Sequence, residues 1–282
     1  MKPVLVHIHV YYTEQWADLY ARLSRLPEID FDLWVTYCAA GSAFAEQVVA
    51  DAPAAHVLEV ANVGYDIAPF MEVLKRVKLE DYSYCIKLHS KRSMPAGSLL
   101  GAYDVGGGVW RELLLSFLAP PNFCRCLETF IADETLGMVG HHALIWRREP
   151  DDKVAWRQAV QLLESTDLPY RNSAFVAGSM FMCRAVLLKP LVSILGTAEF
   201  EPANRESPTS LAHAAERLLG FVITSQGYSV MDVYTPACDR FLLWMKGLGR
   251  HLQRFVYQRK VTRKGKLIIK ICRIPVYSAK SR

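Results

Sequence analysis

Three fixed cations and an imidazole fall within six residues in Lys87-Leu-His89-Ser-Lys91-Arg92, at the end of a β-rich run, Tyr82–Leu88. Like charges this dense repel one another unless nearby acids or a bound anion neutralise them, and a diphosphate supplies both the charge and the acceptor oxygens. A solvated basic loop is the competing reading. In Asn62-Val-Gly64-Tyr-Asp66-Ile-Ala-Pro69, Gly64 permits a positive φ or close ligand approach, and the Asp66 carboxylate can cap a helix or hydrogen-bond a nucleoside. Tyr11, after the first β-rich run, is placed to meet a base or ribose. His213 and Glu216 stand at i, i+3 on one helical face, where a carboxylate beside an imidazole can take a proton from a hydroxyl. The alternative for Glu216 is an ordinary surface pair with Arg217.

Other chemistries find less support. His141-His142, read as part of a strand, would point to opposite faces and share no ion. Gly106–Gly108 lacks the Lys-Ser/Thr of a phosphate loop and the spacing of a dinucleotide fingerprint. There is no GxSxG elbow, HExxH pair or EF-hand pattern, which disfavours hydrolase and zinc-peptidase readings.

The elements that must position these residues alternate. Val4–Val10 is a β-rich run, and Trp16, Leu19, Tyr20, Leu23 and Leu26 then recur at helical spacing. Phe31–Cys38 returns to period two, Ser42 can cap a helix through Asp51, His56–Val60 is a short strand, and Pro69 sits in the first turn of a helix to Lys78. This alternation predicts an α/β fold, a Rossmann-like, mostly parallel sheet flanked by helices, with ligands at the C-terminal strand ends. Gly97, Gly101 and Gly106–Gly108 mark a loop before a helix at Val109–Leu118 that Pro120-Pro121 ends. Further helices are expected near Phe123–Ile131, Val154–Leu163 and Leu211–Leu219, strands at Leu136–Gly140 and Tyr228–Val233, and a buried turn at Phe175–Phe181. Residues 1–240 read as one domain and 241–282 as a basic amphipathic helical tail.

The 282 residues, 51% hydrophobic and 22% charged, have globular composition and exclude disorder, collagen and coiled coil. The net charge of +5 is unevenly spread: residues 246–282 hold 12 Lys/Arg and no acid, leaving 21 basic against 28 acidic side chains before them. An acidic body argues against nucleic acid as the partner. In the tail Trp244, Leu248, Leu252 and Phe255 recur at helical spacing among Lys246, Arg250, Arg254 and Arg259, a pattern suited to an anionic membrane surface or to packing on the body. The N-terminal apolar run is broken by His7 and His9, and the stretch from Phe175 toward Leu195 by Arg184 and Lys189, so neither a signal peptide nor a membrane span is expected. Seven scattered cysteines without a CxxC pair suit reduced thiols, and a cytoplasmic protein at the inner face of the membrane is the expectation.

Taken in order and spacing, HIHVYY (7–12), NVGYDIAPF (62–70), YCIKLHSKRS (84–93), GVWRELLLSFL (108–118), FVAGSMFMCRAVLLKPL (175–191) and LAHAAERLLG (211–220) resemble the rhamnan synthesis protein F family. That resemblance covers about residues 4–235. It implies a GT-A-type glycosyltransferase of cell-surface polysaccharide or lipopolysaccharide synthesis, using a nucleotide-diphospho-sugar such as dTDP-L-rhamnose, with a growing glycan or lipid-linked saccharide as acceptor. Glu216, with His213 to orient it, would be the catalytic base of an inverting transfer. Tyr11, Asn62, Gly64, Asp66, Lys87, His89, Lys91 and Arg92 would bind the donor, and Trp110, Arg111 and Gly178 would belong to the acceptor side or to a loop over the site. The GT-A pattern has an Asp-x-Asp metal triplet where this chain has Leu88-His89-Ser90, which offers no carboxylate to a hard Mg²⁺ or Mn²⁺. Metal-independent transfer is therefore expected, with Mg²⁺ or Mn²⁺ left open. The competing class is an inactive module of the same fold that binds a nucleotide sugar or glycan.

Overall fold

The structure, a computed structural model, describes residues 3–27, 29–38, 41–96, 98–100, 102–147, 153–171, 173–203, 210–261, 266–272 and 274–280. Gly97 and Gly101 of the expected glycine loop lie outside them. The chain divides into two compact units, Met1–Arg92 with Arg111–Thr235, and Ser93–Trp110 with Pro236–Arg282. The boundary expected at 240 thus falls after Thr235, and a segment from the middle of the chain groups with the C-terminal residues.

The first unit follows the alternation in the sequence: β1 (Val4–Val10), α1 (Trp16–Leu23), β2 (Phe31–Tyr37), α2 (Ser42–Asp51), β3 (His56–Glu59), α3 (Ile67–Leu74) and β4 (Tyr84–His89). After the hairpin β5 (Leu99–Leu100) and β6 (Tyr103–Asp104) of the second unit come α4 (Val109–Leu115), α5 (Pro120–Ala132), β7 (Leu136–Val139), β8 (Ile145–Trp146), α6 (Lys153–Glu164), β9 (Phe175–Val176), β10 (Phe181–Arg184), α7 (Lys189–Leu195), α8 (Leu211–Ser225) and β11 (Ser229–Met231). Seven strands form one sheet in the order β11-β7-β10-β4-β1-β2-β3. Only β10 runs against its neighbours, so the C-terminal ends of the other six share an edge. The expected mostly parallel α/β sheet is therefore the fold. Every residue of β1 is buried, as a central strand covered on both faces requires.

Local chemistry moves several boundaries. Gly41, at φ +72°, occupies the N-cap position of α2, and Ser42 is its first residue rather than its cap. Pro120-Pro121 open α5 instead of only closing the helix before them, because the missing N–H groups cost nothing in a first helical turn. The turn expected at Phe175–Phe181 carries two short strands, β9 and β10.

The second unit contains α9 (Ala237–Val256) and a meander of β12 (Tyr257–Val261), β13 (Lys266–Ile271) and β14 (Ile274–Lys280). The tail is thus helical only to Val256. The β-branched run around Leu267-Ile-Ile-Lys-Ile favours the extended chain that follows.

In the first unit α8 crosses β9 so closely that a Cβ on Gly220 would lie 2.1 Å from the Ala174 carbonyl oxygen and 2.5 Å from the Phe175 Cα. Both obstacles are backbone and cannot rotate away. Gly220→Ala is expected to lower unfolding stability by about 2–3 kcal/mol despite its better helix propensity. Urea denaturation checks this, and an unchanged or raised midpoint would show that α8 can lift off β9 without cost.

Candidate functional site

The site rests on a buried polar layer. Parallel pairing sets His7 opposite Lys87 and His9 opposite His89, and the two-residue period of a strand puts all four side chains on one face. His7 Nε2 and His9 Nδ1 both lie on Thr36 Oγ1, at 2.8 and 3.0 Å. The Lys87 side chain is 0% exposed, and its ammonium donates to Asp66 Oδ2 and to the carbonyl and hydroxyl oxygens of Ser179, the latter two at 3.1 and 3.2 Å. Ser179 Oγ donates to the same carboxylate oxygen of Asp66. His89 Nε2 bonds the Gly178 carbonyl at 2.9 Å and stands 3.9 Å from Asp66.

Burial alone would raise the Asp66 carboxyl, but the fields of His89 and Lys87 and the hydrogen bonds from Lys87 and Ser179 outweigh it and hold the group well below the carboxylate range. Burial pushes His89 and His9 down to about 4, with Asp66 opposing. At neutral pH both imidazoles are uncharged and Lys87 is the lasting cation beside Asp66. Burial also lowers Lys87, against the pull of Asp66.

Two left-handed pairs of residues bring these groups together. Gly64 and Tyr65 have φ +59° and +54°, and Gly178 and Ser179 have φ +91° and +52°. A left-handed Tyr or Ser costs energy and persists where the surroundings over-determine it. A Cβ on Gly64 would meet Ala68 Cβ at 2.7 Å and the Phe200 ring at 2.8 Å, so its glycine serves packing and φ rather than ligand approach. Asp66 holds the N-cap position of α3 but makes no capping bond with its side chain, because that carboxylate is turned to Lys87 and Ser179.

On α8, Glu216 Oε1 accepts from the Gly178 amide at 2.6 Å and Oε2 from Arg217 at 3.1 Å. The opposite edge of this arrangement is a cleft of about 150 Å³ lined by Tyr65, Asp66, Ile67, Lys91, Gly178, Ser179, Ala212, His213 and Glu216. The structure thus gathers Asp66, Lys91, Gly178, His213 and Glu216, which are separated by up to 150 positions in the chain.

Other residues singled out from the sequence have different placements. Lys87 and His89 lie beneath the cleft, fully or nearly fully buried, and do not line it. His213 bonds Ser210 Oγ at 2.8 Å and packs its ring edge-on to Tyr65, and among the described residues no hydrogen bond joins it to Glu216. The orienting partners of Glu216 are Gly178 and Arg217. Arg92 stacks over the Tyr12 ring at 4.6 Å, Tyr11 is 47% exposed with its ring against Tyr12, and Asn62 is exposed, its carbonyl taken by the Ala203 amide. Arg111 is bound by Asp18, Glu112 and Gln15, which makes it a structural ion pair. Trp110 belongs to the second unit. Tyr65 and Ser179 were not anticipated, whereas the pair of Glu216 with Arg217, the alternative read from the sequence, is present with Arg217 buried. The quoted segment 175–191 contained Ser179, but only the fold puts it on Asp66.

The end of β4 does not fit a hard divalent cation. Ser90 Oγ accepts the Tyr11 and Tyr12 amides at 2.8 and 2.9 Å, His89 faces the carbonyls of Gly178 and Ser90, and the nearest carboxylate, Asp66, is held by Lys87 and Ser179. By contrast His141 and His142 do not alternate as strand residues would. They follow β7 in a tight turn, with ring centroids 4.4 Å apart.

The family model for rhamnan synthesis protein F matches residues 1–228. The chain belongs to that family. Relatives include protein WxcX from two strains of Xanthomonas campestris pv. campestris, each 31% identical over 176 residues, 61% of this chain and 24% of the relative. The match therefore spans about a quarter of those proteins' length. Among solved structures, glucosyl-3-phosphoglycerate synthase from Mycobacterium tuberculosis aligns in complexes with uridine diphosphate and with Mn²⁺, uridine diphosphate and phosphoglyceric acid. Identity is 10% and 9%, the TM-score is 0.39 for both, and the alignments cover 98% of this chain and 89% of theirs. The overlap is too loose to carry residue roles across.

The buried imidazoles make stability depend on pH. His9 and His89 have folded values of about 4 against an ordinary 6.5, so the folded chain binds fewer protons than the unfolded chain between those limits. Their contribution is fully present above pH 6.5 and is lost as pH falls toward 4, up to about 3 kcal/mol for each. Urea midpoints measured from pH 7.5 down to 4.5 should fall steadily, and a flat profile would be incompatible with buried neutral imidazoles.

Proposed function

We propose that this chain is a glycosyltransferase that moves a sugar from a nucleotide-diphospho-sugar to a hydroxyl of a growing cell-surface polysaccharide or lipid-linked glycan. The supporting observation is one cleft at the C-terminal edge of the sheet with a cation, Lys91, and two differently held carboxylates, Asp66 and Glu216, on its walls. Membership of the rhamnan synthesis family makes L-rhamnose, carried by dTDP, the sugar to test first.

In this reading Lys91 and the neighbouring Arg92 attract the donor diphosphate and stabilise it as it leaves, in place of a metal at the end of β4. Asp66 keeps Oδ1 without a hydrogen bond among the described residues, an acceptor for a nucleoside hydroxyl near Tyr11. Lys87 acts one layer down by holding Asp66. The acceptor hydroxyl gives its proton to Glu216 while its oxygen forms the new bond to the anomeric carbon. The bond from that carbon to the diphosphate oxygen breaks, and the electron pair leaves with the diphosphate. Attack opposite the leaving group inverts the anomeric centre.

Glu216→Gln keeps the hydrogen-bond acceptor for the Gly178 amide but loses the base. Turnover should fall ~10²-fold or more with donor affinity nearly unchanged. Loss of donor binding with the same substitution would make Glu216 a structural residue, and donor binding with no turnover by the unsubstituted chain would favour the inactive-module reading.

The same proposal puts the acceptor at a membrane, and α9 supports that. Phe241, Met245, Leu248, Leu252 and Phe255 recur at helical spacing and are 36% to 58% exposed, alongside Trp244 and the cations Arg240, Lys246 and Arg250. No helix among the described residues is long and apolar enough to cross a membrane, so this stripe would lie in the headgroup region. Each cation near an anionic surface adds about 1 kcal/mol. The full chain should sediment with phosphatidylglycerol vesicles and not with phosphatidylcholine alone, and Leu248→Glu with Leu252→Glu should release it. Failure of the unsubstituted chain to sediment would remove the membrane from the proposal.

A further inference from the structure

A second cluster of metal-ligating side chains lies on the same edge of the sheet, at the ends of β7 and β11, and the transfer chemistry above does not use it. The Gly140 amide donates to the Met231 carbonyl at 3.1 Å, so the chains leave the sheet side by side and set His141 and His142 against Asp232. The His142 amide donates to Asp232 Oδ2 at 2.8 Å, and His142 Nδ1 stands 3.2 Å from the same oxygen. His141 Nδ1 accepts from the Ala143 amide at 3.2 Å. One ligand atom from each of His141, His142 and Asp232 lies within 4.8 Å of the other two.

We propose that His141, His142 and Asp232 form a binding site for a divalent metal ion of the zinc class. A tetrahedral ion with bonds of about 2.0–2.1 Å holds its ligand atoms about 3.3 Å apart, close to the separation of His142 Nδ1 and Asp232 Oδ2. The ion takes the place of the proton between those two atoms, and the His142 ring carries its proton on Nε2 instead. The lone pair of His141 Nδ1 accepts the Ala143 amide, a hydrogen bond that ligation through this atom exchanges for a metal bond. Two imidazoles and one carboxylate favour Zn²⁺ or Co²⁺ over Mg²⁺, which prefers oxygen. Three protein ligands leave a fourth position for water or a phosphate oxygen, as in metal sites that act on a ligand. The three side chains are largely buried, with Asp232 2% and His142 13% exposed, which sets them apart from adventitious surface histidines. The inference does not depend on the transfer reading.

The test uses the full chain without an affinity tag, stripped with chelator and titrated with Co²⁺ and then Zn²⁺, followed by calorimetry and visible absorption. About one equivalent should bind, with the visible bands of a low-coordinate Co²⁺ and no thiolate charge-transfer band. His141→Gln and His142→Gln should each weaken binding ~10-fold or more, with unchanged circular dichroism in the metal-free state. If one of them fails to fold, the other decides. Absence of binding by the unsubstituted chain overturns the proposal. So do equal affinity in the folded variants and a thiolate band, which would assign the metal to the exposed Cys238 or Cys272.

Discussion

The first unit depends on one buried ion pair, Lys87 with Asp66. An ammonium taken wholly out of water costs several kcal/mol unless an anion and hydrogen-bond acceptors meet it, and removing one partner of such a pair typically costs 3–5 kcal/mol. Meeting that demand joins three distant pieces of chain. Lys87 is on the central strand β4, Asp66 opens α3, and Ser179 is in the turn before β10. With Ser179 fixed in a left-handed conformation, the preceding Gly178 amide is committed to Glu216 on α8. A constraint on solvation in the core thereby sets the position of a carboxylate on the wall of the cleft.

The polar layer under the cleft is balanced before any ligand arrives. His7 and His9 share Thr36, His89 takes the Gly178 carbonyl, and Lys87 and Asp66 neutralise each other. Groups already fixed in a dry environment need no reorganisation when charge develops above them. The cations at the mouth differ in kind: Lys91 lines the cleft and Arg92 is exposed over Tyr12. An incoming dianion would meet those two, while Lys87 stays committed to Asp66.

Much of this was legible in the sequence, because strand and helix periods and the position of polar residues at strand ends are local properties. The alternation of strands and helices, the α8 helix and the placement of the Asn62–Asp66 and Lys87–Arg92 segments at the C-terminal strand ends follow from them, whereas the order of strands in the sheet and the antiparallel β10 do not. What the sequence could not convey is which side of a strand end faces water. Lys87 and Lys91 look equivalent in KLHSK, yet Lys87 is a fully buried position of a central strand while Lys91, four positions on, lines the cleft. His213 and Glu216 share a face of α8 and still choose different partners, since His213 meets the Ser210 hydroxyl beside it and Glu216 accepts the Gly178 amide. The pairing of His141 with His142 was missed for a similar reason: strand alternation stops at Val139, and a turn can place adjacent rings side by side.

In the proposed transfer the two carboxylates of the cleft are not equivalent candidates for the base. A good base must regain a proton readily near the working pH. Asp66 is the poorer choice, because protonating it would leave Lys87 buried beside a neutral acid, and the cluster holds its carboxyl well below the ordinary range for this reason. Glu216 also faces a buried cation, Arg217, but that guanidinium is not committed to it alone. Its partners are one backbone amide and the guanidinium of Arg217, which also bonds the His213 carbonyl at 2.6 Å and lies over the Phe175 ring at 5.2 Å. Arg217 therefore has support beside Glu216, in that carbonyl and that ring, whereas Lys87 is held by Asp66 and Ser179. The ion pair that fixes the architecture thus commits Asp66, and in the proposed transfer the base is the other carboxylate of the cleft, Glu216.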